Sequence, residues 1–202
     1  VAFDFISPHD LVKARKSWFF FDEEYVCLGT DIQSRADLPV ATTVNQALLR
    51  SDVTILQDGE VKKLPQGNRE LNGVKFVHQD KVGYIFPTPA TIQLSNQEEQ
   101  GRWSDITDQK NISTEVVHMD VFKLWFDHGK HPDSASYQYI VVPGVTEQEL
   151  QETSGNNRGI EIITNNSDVQ AVSNRKLGIT QIVFYKASTL KVADGLTVRM
   201  DS

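Results

Sequence analysis

Apolar and polar residues alternate in short runs along most of this chain, and clusters of Gly, Pro, Asn and Asp separate the runs. A period of two is typical of strands with one buried face, and many short strands between turn signals are typical of sandwiches and barrels. The pattern therefore predicts an all-β fold. The predicted strands are Val12–Phe21, Tyr25–Ile32, Ala41–Leu49, Val53–Leu56, Lys75–Gln79, Val82–Phe86, Thr91–Leu94, Val116–Phe126, Tyr137–Val142, Ile160–Thr164, Val169–Val172 and Ile179–Tyr185.

Two tight hairpins and two doubly covered strands follow from the same pattern. Short polar turns at Asp22–Glu24 and Gln79–Lys81 join neighbouring strands, which predicts antiparallel pairing. The run Trp18–Phe21 is aromatic throughout, and Val116–Phe126 carries large apolar residues on both faces. Strands of this kind are covered on both sides. We therefore expect buried side chains at Trp18, Phe20, Phe122, Leu124 and Phe126.

One short helix interrupts the β pattern. It is predicted to start at Thr146, because Thr146–Glu149 fits a capping box directly after a Pro-Gly pair. The Gly- and Asn-rich run at residues 155–159 is expected to end it. Two polar stretches, Gln57–Gly73 and Ser95–Glu115, are predicted to be the longest loops, where contacts to partners tend to lie.

Composition and charge exclude several classes of protein. The 202 residues are 39% hydrophobic and 23% charged, and no apolar run approaches the length of a membrane span, so we expect neither disorder nor a membrane partner. A net charge of −7 disfavours a nucleic-acid partner and would also repel a polyanionic sugar chain. The lone Cys27 lies in an apolar run, which is typical of a buried small hydrophobe. Both ends, Val1–Phe5 and Leu196–Met200, look like strands, so we expect both to be cut points within a larger fold.

The residues that could carry chemistry form no recognised catalytic motif. The run His128–His131 lies beside a proline, and a turn-stabilising role is favoured over zinc; His78 and His118 fall inside strands and are expected to be hydrogen-bonded structural histidines. Neither a nucleophile elbow nor a phosphate-binding glycine loop is present. We therefore expect no catalytic residue, no metal and no cofactor in this chain. Trp103, in a polar loop, could stack on a sugar, although folding back over the edge of the sandwich is the favoured interpretation.

Several strings, in this order, resemble polysaccharide lyase family 8, the bacterial chondroitin AC, hyaluronate and xanthan lyases. The likeness is strongest to the chondroitin AC type, and the strings span most of the chain. They are Ala14–Asp22, Val26–Gly29, Thr42–Gln46, Val82–Pro87, Gly101–Trp103, Asp120–Trp125, His128–Gly129 and Tyr137–Gly144.

The resemblance implies a place inside a larger enzyme. Members of that family have an N-terminal helical toroid, a large antiparallel β supersandwich built like aldose mutarotases, and a smaller β domain. Residues 1–172 would be the later part of the supersandwich, and residues 173–202 the start of the C-terminal domain. The family cleaves uronic-acid polysaccharides by β-elimination with Asn, His, Tyr and Arg residues of the toroid, none of which can be matched here.

The resemblance thus predicts a non-catalytic portion of a secreted or periplasmic bacterial lyase. This portion would support the toroid and wall the groove for the polysaccharide, with its sugar-contacting residues unknown. An alternative is a stand-alone carbohydrate-binding module that uses Trp103 and the Ser95–Glu115 loop. A third is a sugar epimerase with His78 or His118 as acid, which is disfavoured because no motif places a Glu near either histidine.

Overall fold

The structure, a computed structural model, describes residues 1–153 and 158–201. Within these ranges the prediction of an all-β fold with one short α-helix is confirmed, and a 3₁₀ turn at Trp103–Asp105 is added. The elements are β1 (Ala2–Ile6), β2 (Val12–Phe20), β3 (Tyr25–Ser34), β4 (Pro39–Leu48), β5 (Val53–Gln57), β6 (Glu60–Leu64), β7 (Gly67–Gln79), β8 (Val82–Gly101), β9 (Val117–Lys130), β10 (Asp133–Pro143), α1 (Glu147–Thr153), β11 (Ile160–Asn165), β12 (Val169–Asn174), β13 (Ile179–Phe184), β14 (Ser188–Ala193) and β15 (Leu196–Met200).

Both predicted hairpins are confirmed. The first predicted loop, Gln57–Gly73, is mostly strand, whereas the second, Ser95–Glu115, is strand only to residue 101 and is otherwise confirmed. Strands β2 and β3 pair from Phe20 with Tyr25, and β7 and β8 pair up to the turn at Asp80 and Lys81, where both residues have positive φ. The stretch 57–73 contains β6 and the first half of β7, and β8 continues to residue 101. These segments are polar because one face of each is exposed, and they are strands because they pair with a neighbour.

The main sheet folds into two layers, which share the long strands β7 and β8. Layer 1 has the order β1-β2-β3-β10-β8-β7-β5-β6, and layer 2 is formed by β4, β9 and the far halves of β8 and β7. Register shifts around Val74 mark where the long hairpin passes from one layer to the other. Opposite this point β8 carries Pro87 and Pro89, which cannot donate to the ladder, so pairing is interrupted there.

The hydrophobic core between layers 1 and 2 contains the predicted aromatic strand of β9. Phe122 and Leu124 are fully buried, and Phe126 is 8% exposed, as the alternation predicts. The expectation for Phe20 is wrong, because it is 56% exposed and stacks on Tyr25 beside the turn of the first hairpin. Trp18 is half-buried against the same core, so its predicted burial is met only in part.

A third layer covers the outer face of layer 1. Strands β11, β12 and β13 form a three-stranded sheet, called layer 3. A second core lies between layers 1 and 3. It includes Phe19, Val26, Ile140, Leu150 of α1 and Val172 of β12. Layer 1 is therefore covered on both faces, which explains its continuous apolar runs.

The capping box of α1 is confirmed. The Thr146 amide donates to Glu149 Oε2 at 2.9 Å, and the Glu149 amide donates to Thr146 Oγ1 at 3.3 Å. Leu150 anchors the helix on the second core, directly above Gly83, where a Cβ would come within 2.6 Å of the leucine side chain. The predicted end of the helix falls largely on residues 154–157, which lie outside the described residues.

The C-terminal part of the chain continues as β structure. The predicted boundary between residues 172 and 173 falls inside β12, and it stays a prediction. Strands β14 and β15 form a separate two-stranded sheet. No helix among the described residues is long and apolar enough to cross a membrane.

Candidate functional site

The most exposed aromatic surface lies where β8 ends and β9 begins. Trp103, on the 3₁₀ turn between them, is 58% exposed and lies beside residues of β8 and β9, so it covers the sandwich edge only in part. It lines an open groove of about 350 Å³ together with Arg102, Ile106, Val117 and Met119. Three of these neighbours are apolar, and each of the three is more than a third exposed. The groove is a surface for contact rather than an enclosed site for chemistry.

The residues that line this groove include one acidic side chain, Glu99, and one basic side chain, Arg102. Glu99 is bound by the Lys123 ammonium at 2.9 Å, and this hydrogen bond lowers the pKa of the Glu99 carboxyl. Asp105 belongs to the 3₁₀ turn itself, whereas Glu98 lies 3.2 Å from His118 Nδ1 on the other face of β8.

The histidines predicted to be structural differ in their surroundings. His78 is half-buried, and its Nε2 lies 3.0 Å from the Val145 carbonyl oxygen just before α1, so its predicted structural role is confirmed. His118 is exposed and pairs with Glu98, a neighbour that the sequence did not indicate. The pair stands on the same face of β8 and β9 as Phe122 and Leu124 but is exposed beyond the end of the core, and neither residue lines the groove, so no acid-base site is formed there.

The run His128–His131 is mostly strand. Residues 128–130 end β9, which corrects the predicted turn, and only His131 and Pro132 form the connection to β10. His128 Nε2 lies 2.9 Å from Thr42 Oγ1, and burial lowers the pKa of its imidazole. Among the described residues no group of three His, Cys, Asp or Glu side chains could hold a metal ion.

Several tyrosines and the cysteine are held in their protonated forms by burial. Burial raises the pKa of Tyr84 to about 12, although a hydrogen bond from Asn45 opposes the shift. Burial also raises the pKa of Cys27 to about 12 and the pKa of Tyr137 and Tyr139 still further. Cys27 is 1% exposed, so its predicted role as a buried hydrophobe is confirmed.

A buried polar network that the sequence analysis missed joins layer 3 to layer 1. Gln170 of β12 is completely buried, and its Oε1 accepts hydrogen bonds from Ser17 Oγ at 2.6 Å and from the Tyr185 hydroxyl at 2.9 Å. Its Nε2 donates to Asn165 Oδ1 at 2.8 Å. The only signal in the sequence was one polar residue inside the apolar run 169–172.

A second polar contact between the same layers is an ion pair. Arg158 Nη1 donates to Glu24 Oε2 at 2.9 Å, and both side chains are nearly buried. Asn174 of β12 donates to the other Glu24 oxygen at 3.2 Å. Polar groups at these depths are costly unless each finds its partner, so they fix one position of layer 3 on layer 1.

Two family models together match nearly the whole chain. The model of the super-sandwich domain of polysaccharide lyase family 8 matches residues 1–154, and that of the C-terminal beta-sandwich domain of the same family matches residues 161–202. Chondroitinase-AC of Pedobacter heparinus is 37% identical over 96% of this chain and 27% of its own length. Xanthan lyase of a Bacillus species is 33% identical over 92% of this chain and 21% of its own.

Solved structures agree with these relatives. A chondroitinase AC lyase determined in complexes with oligosaccharides superimposes with a TM-score of 0.85 at 35% identity, over 96% of this chain and 28% of that chain. The chain therefore spans about a quarter of the length of the relatives that it matches.

Proposed function

The chain belongs to polysaccharide lyase family 8, and from this membership we propose that it is the non-catalytic β-sandwich portion of a longer, secreted lyase. The longer enzyme cleaves uronic-acid-containing glycosaminoglycans of the chondroitin or hyaluronan type by β-elimination. An upstream helical domain supplies the residues that move protons, and the sandwich supports that domain and forms one wall of the substrate groove.

The observation that carries this proposal is the state of the proton-transfer groups. β-Elimination next to a carboxylate needs a base and an anion-stabilising group that converge in a cleft. Burial raises the pKa of Tyr84 to about 12, and it also raises the pKa of Tyr185 to about 12, so neither hydroxyl is a ready base near neutral pH. His118 and Glu98 stand together on an exposed strand face instead of in a cleft.

The architecture supports a scaffolding role. Layer 1 is covered by layer 2 on one face and by layer 3 on the other, and two buried polar contacts hold layer 3 in place. A body built in this way holds neighbouring surfaces in fixed positions, which is what a groove wall requires.

The test is an elimination assay. Elimination leaves a conjugated double bond on the new non-reducing end, so cleavage of chondroitin or hyaluronan raises the ultraviolet absorbance. We expect no rise with the purified 202 residues and a rise with a longer polypeptide that restores the upstream helical domain.

Turnover by the short chain would contradict the proposal if His118→Ala or His78→Ala abolished it. Two matched controls separate an active site from general damage. Glu98→Gln should abolish the same activity if His118 works with Glu98, whereas His9→Ala should leave it unchanged, since His9 is exposed near the first turn.

A second candidate function is a carbohydrate-binding module, and the exposure of Trp103 is the observation that favours it. A sugar ring stacked on an indole changes its fluorescence. Titration with sulfated and unsulfated glycosaminoglycans should therefore give a saturable change that Trp103→Phe removes and Trp125→Phe, at a half-buried position on β9, retains. A flat titration would dismiss the binding module and leave the scaffolding role as the proposal.

A further inference from the structure

A polar pocket lies where β8 passes from layer 1 to layer 2. Among the described residues, β9 pairs with β8 only as far as Trp125, and β10 pairs with β8 only from Ile140 to Pro143. Between these contacts β8 contains Pro87 and Pro89, which cannot donate to a ladder. Segments of the three strands therefore meet there without pairing with one another. They border a pocket of about 450 Å³, lined by residues 88–91 of β8, 126–128 of β9, 136–138 of β10 and Asn165 of β11.

The aromatic rings at this pocket are covered by one another. The Tyr137 ring lies 5.8 Å from the Phe126 ring and 6.4 Å from the His128 ring between centroids, and both pairs are stacked. Tyr137 is 6% exposed and Phe126 is 8% exposed. These rings belong to the core and offer little surface for a ligand to stack on. Binding in this pocket therefore depends on its polar groups.

Several of those polar groups have hydrogen-bonding capacity left over. Asp127 Oδ1 accepts from the Gly129 amide at 2.8 Å, and Gln138 Nε2 donates to Thr88 Oγ1 at 3.0 Å. The second oxygen of Asp127, the Gln138 carbonyl oxygen and the Ser136 hydroxyl make no hydrogen bond to any of the described residues. These three groups lie on two neighbouring strands, and each can accept from a ligand hydroxyl.

The charge of the pocket is negative. Asp127 is the one carboxylate among the described residues that line it, and neither a lysine nor an arginine is among them. Burial lowers the pKa of the His128 imidazole, so its ring is mainly neutral at neutral pH. Its Nε2 lies 2.9 Å from Thr42 Oγ1, which leaves Nδ1 as a further polar atom of this side chain. A carboxylate without a nearby cation repels anions and favours hydroxyl donors.

We propose that this pocket binds a neutral, hydroxyl-rich sugar, one monosaccharide unit in size. Its hydroxyls donate to Asp127 Oδ2 and to the Gln138 carbonyl oxygen, and one of them exchanges a hydrogen bond with the Ser136 hydroxyl. The volume lies within the usual range for small-molecule sites. This inference goes beyond the proposed function and does not rest on it, and the pocket shares no lining residue with the groove at Trp103.

Other classes of ligand fit the pocket less well. A uronate or a sulfated sugar would bring a second negative charge beside Asp127. A cation would find a single carboxylate, and no group of three His, Cys, Asp or Glu side chains in the described ranges could hold a metal ion. An apolar ligand would remove water from the free polar groups without replacing its hydrogen bonds, which is costly.

A titration followed by nuclear magnetic resonance tests the inference on the 202-residue chain. The probes are galactose, glucose and galacturonate, the last of which differs from galactose in its carboxylate. The Ser136 backbone amide and the Gln138 side-chain amide should shift saturably with at least one neutral sugar, with a dissociation constant on the order of 1 mM, as expected for a few hydrogen bonds in an open pocket. Galacturonate should leave both resonances unchanged.

A charge-removing variant identifies the carboxylate that selects the ligand. Asp127→Asn keeps an oxygen for the Gly129 amide but loses the charge-assisted hydrogen bond, so the affinity for the neutral sugar should fall about five- to tenfold. The same variant should begin to bind galacturonate, because the repulsion is gone. Asp120→Asn is the matched control, since it removes the same charge from an exposed position of β9 that does not line the pocket, and it should change neither affinity.

Three outcomes would overturn the inference. The absence of any shift at Ser136 and Gln138 with both neutral sugars would show that the pocket binds no sugar. Shifts confined to the Trp103 indole would place binding in the other groove. Equal binding of galactose and galacturonate by the wild type, or equal losses in Asp127→Asn and Asp120→Asn, would remove Asp127 as the selecting group.

Discussion

Each aromatic side chain of this chain contributes to stability according to the face of the strand on which it stands. Phe122 is fully buried between layers 1 and 2, and Phe20 is 56% exposed at the end of β2. Phe19, the neighbour of Phe20 in the chain, lies in the second core and is 2% exposed. Adjacent residues of one strand therefore differ in burial by about half of the surface of a phenyl side chain.

Truncation of Phe122 and of Phe20 to alanine should show the difference between a buried and an exposed phenyl ring. Phe122→Ala removes a ring from a closed core, and we expect a loss of about 3–5 kcal/mol in the free energy of unfolding. Phe20→Ala is the matched control and should cost less than about 1.5 kcal/mol, since it loses mainly the stacking on Tyr25. Urea denaturation measures both, and equal losses would show that the faces of these strands are misassigned.

Helix α1 shows how a short element is held by its first turn and one anchor. Seven residues are too few for a helix to be stable alone, so the cap at Thr146 and the burial of Leu150 decide whether it forms. The Leu150 amide donates to the Thr146 carbonyl oxygen at 3.0 Å and reports directly on the first turn.

Removal of the cap should loosen that turn. Thr146→Ala removes the hydroxyl that binds the Glu149 amide, at a cost of about 0.5–2 kcal/mol, which is an acceleration of about 2- to 30-fold in exchange of the Leu150 amide. Gln148→Ala, on the exposed face, is the control and should change this rate less than about twofold. An equal acceleration in both variants would mean that the cap has no special role.

The same cap should make the helix sensitive to acid. The backbone and hydroxyl hydrogen bonds from Thr146 lower the pKa of Glu149 below its ordinary value of 4.5. A carboxyl whose pKa is lower in the folded state stabilises that state above the ordinary value and loses this contribution as pH falls through the folded pKa. The difference in stability between the wild type and Glu149→Gln should therefore be constant above about pH 5.5 and disappear in acid. A difference that is unchanged in acid would contradict the cap as its source.

At the scale of the whole molecule, stability depends on how layer 3 is fixed to layer 1. Apolar contacts of the second core provide the attraction, and the Gln170 network and the pair of Glu24 with Arg158 select one arrangement. Gln170 and Glu24 have both ends of their side chains hydrogen-bonded, and groups of this kind favour a unique packing, because any other arrangement leaves them unsatisfied.

Gln170→Leu tests this arrangement. The variant keeps much of the buried volume but leaves the Ser17 hydroxyl without its acceptor and Asn165 Oδ1 without its donor, so we expect a loss of about 1–3 kcal/mol per unsatisfied group. The Tyr185 hydroxyl keeps the Lys16 carbonyl oxygen as its acceptor at 2.9 Å. Glu161→Gln is the control on layer 3, because its ion pair with Arg175 is exposed and should contribute less than about 1 kcal/mol. If Gln170→Leu were neutral in urea denaturation, the network would not hold the layers together.

The sequence by itself determined the features that depend on neighbouring residues. Alternation predicted most strands, the turns at Asp22 and Asp80 predicted hairpins, and Thr146–Glu149 predicted the start of α1, because each depends on residues close together in the chain. The ordered strings also identified the family, since they report the whole fold at once. Two local rules, one for hairpin turns and one for helix caps, were enough to predict these turns and the start of the helix.

Only the tertiary structure decided which strand faces are covered and which polar groups meet. Phe19 rather than Phe20 is buried because layer 3 covers that face of β2. Gly29 admits no side chain because the Tyr137 ring lies against it, 108 residues away in the chain. The polar first half of β7 and last part of β8 are strands because they pair with each other and, for β8, with β9. These outcomes depend on contacts between residues that are distant in sequence. A local pattern does not say which strand will pair with a segment or which layer will cover it.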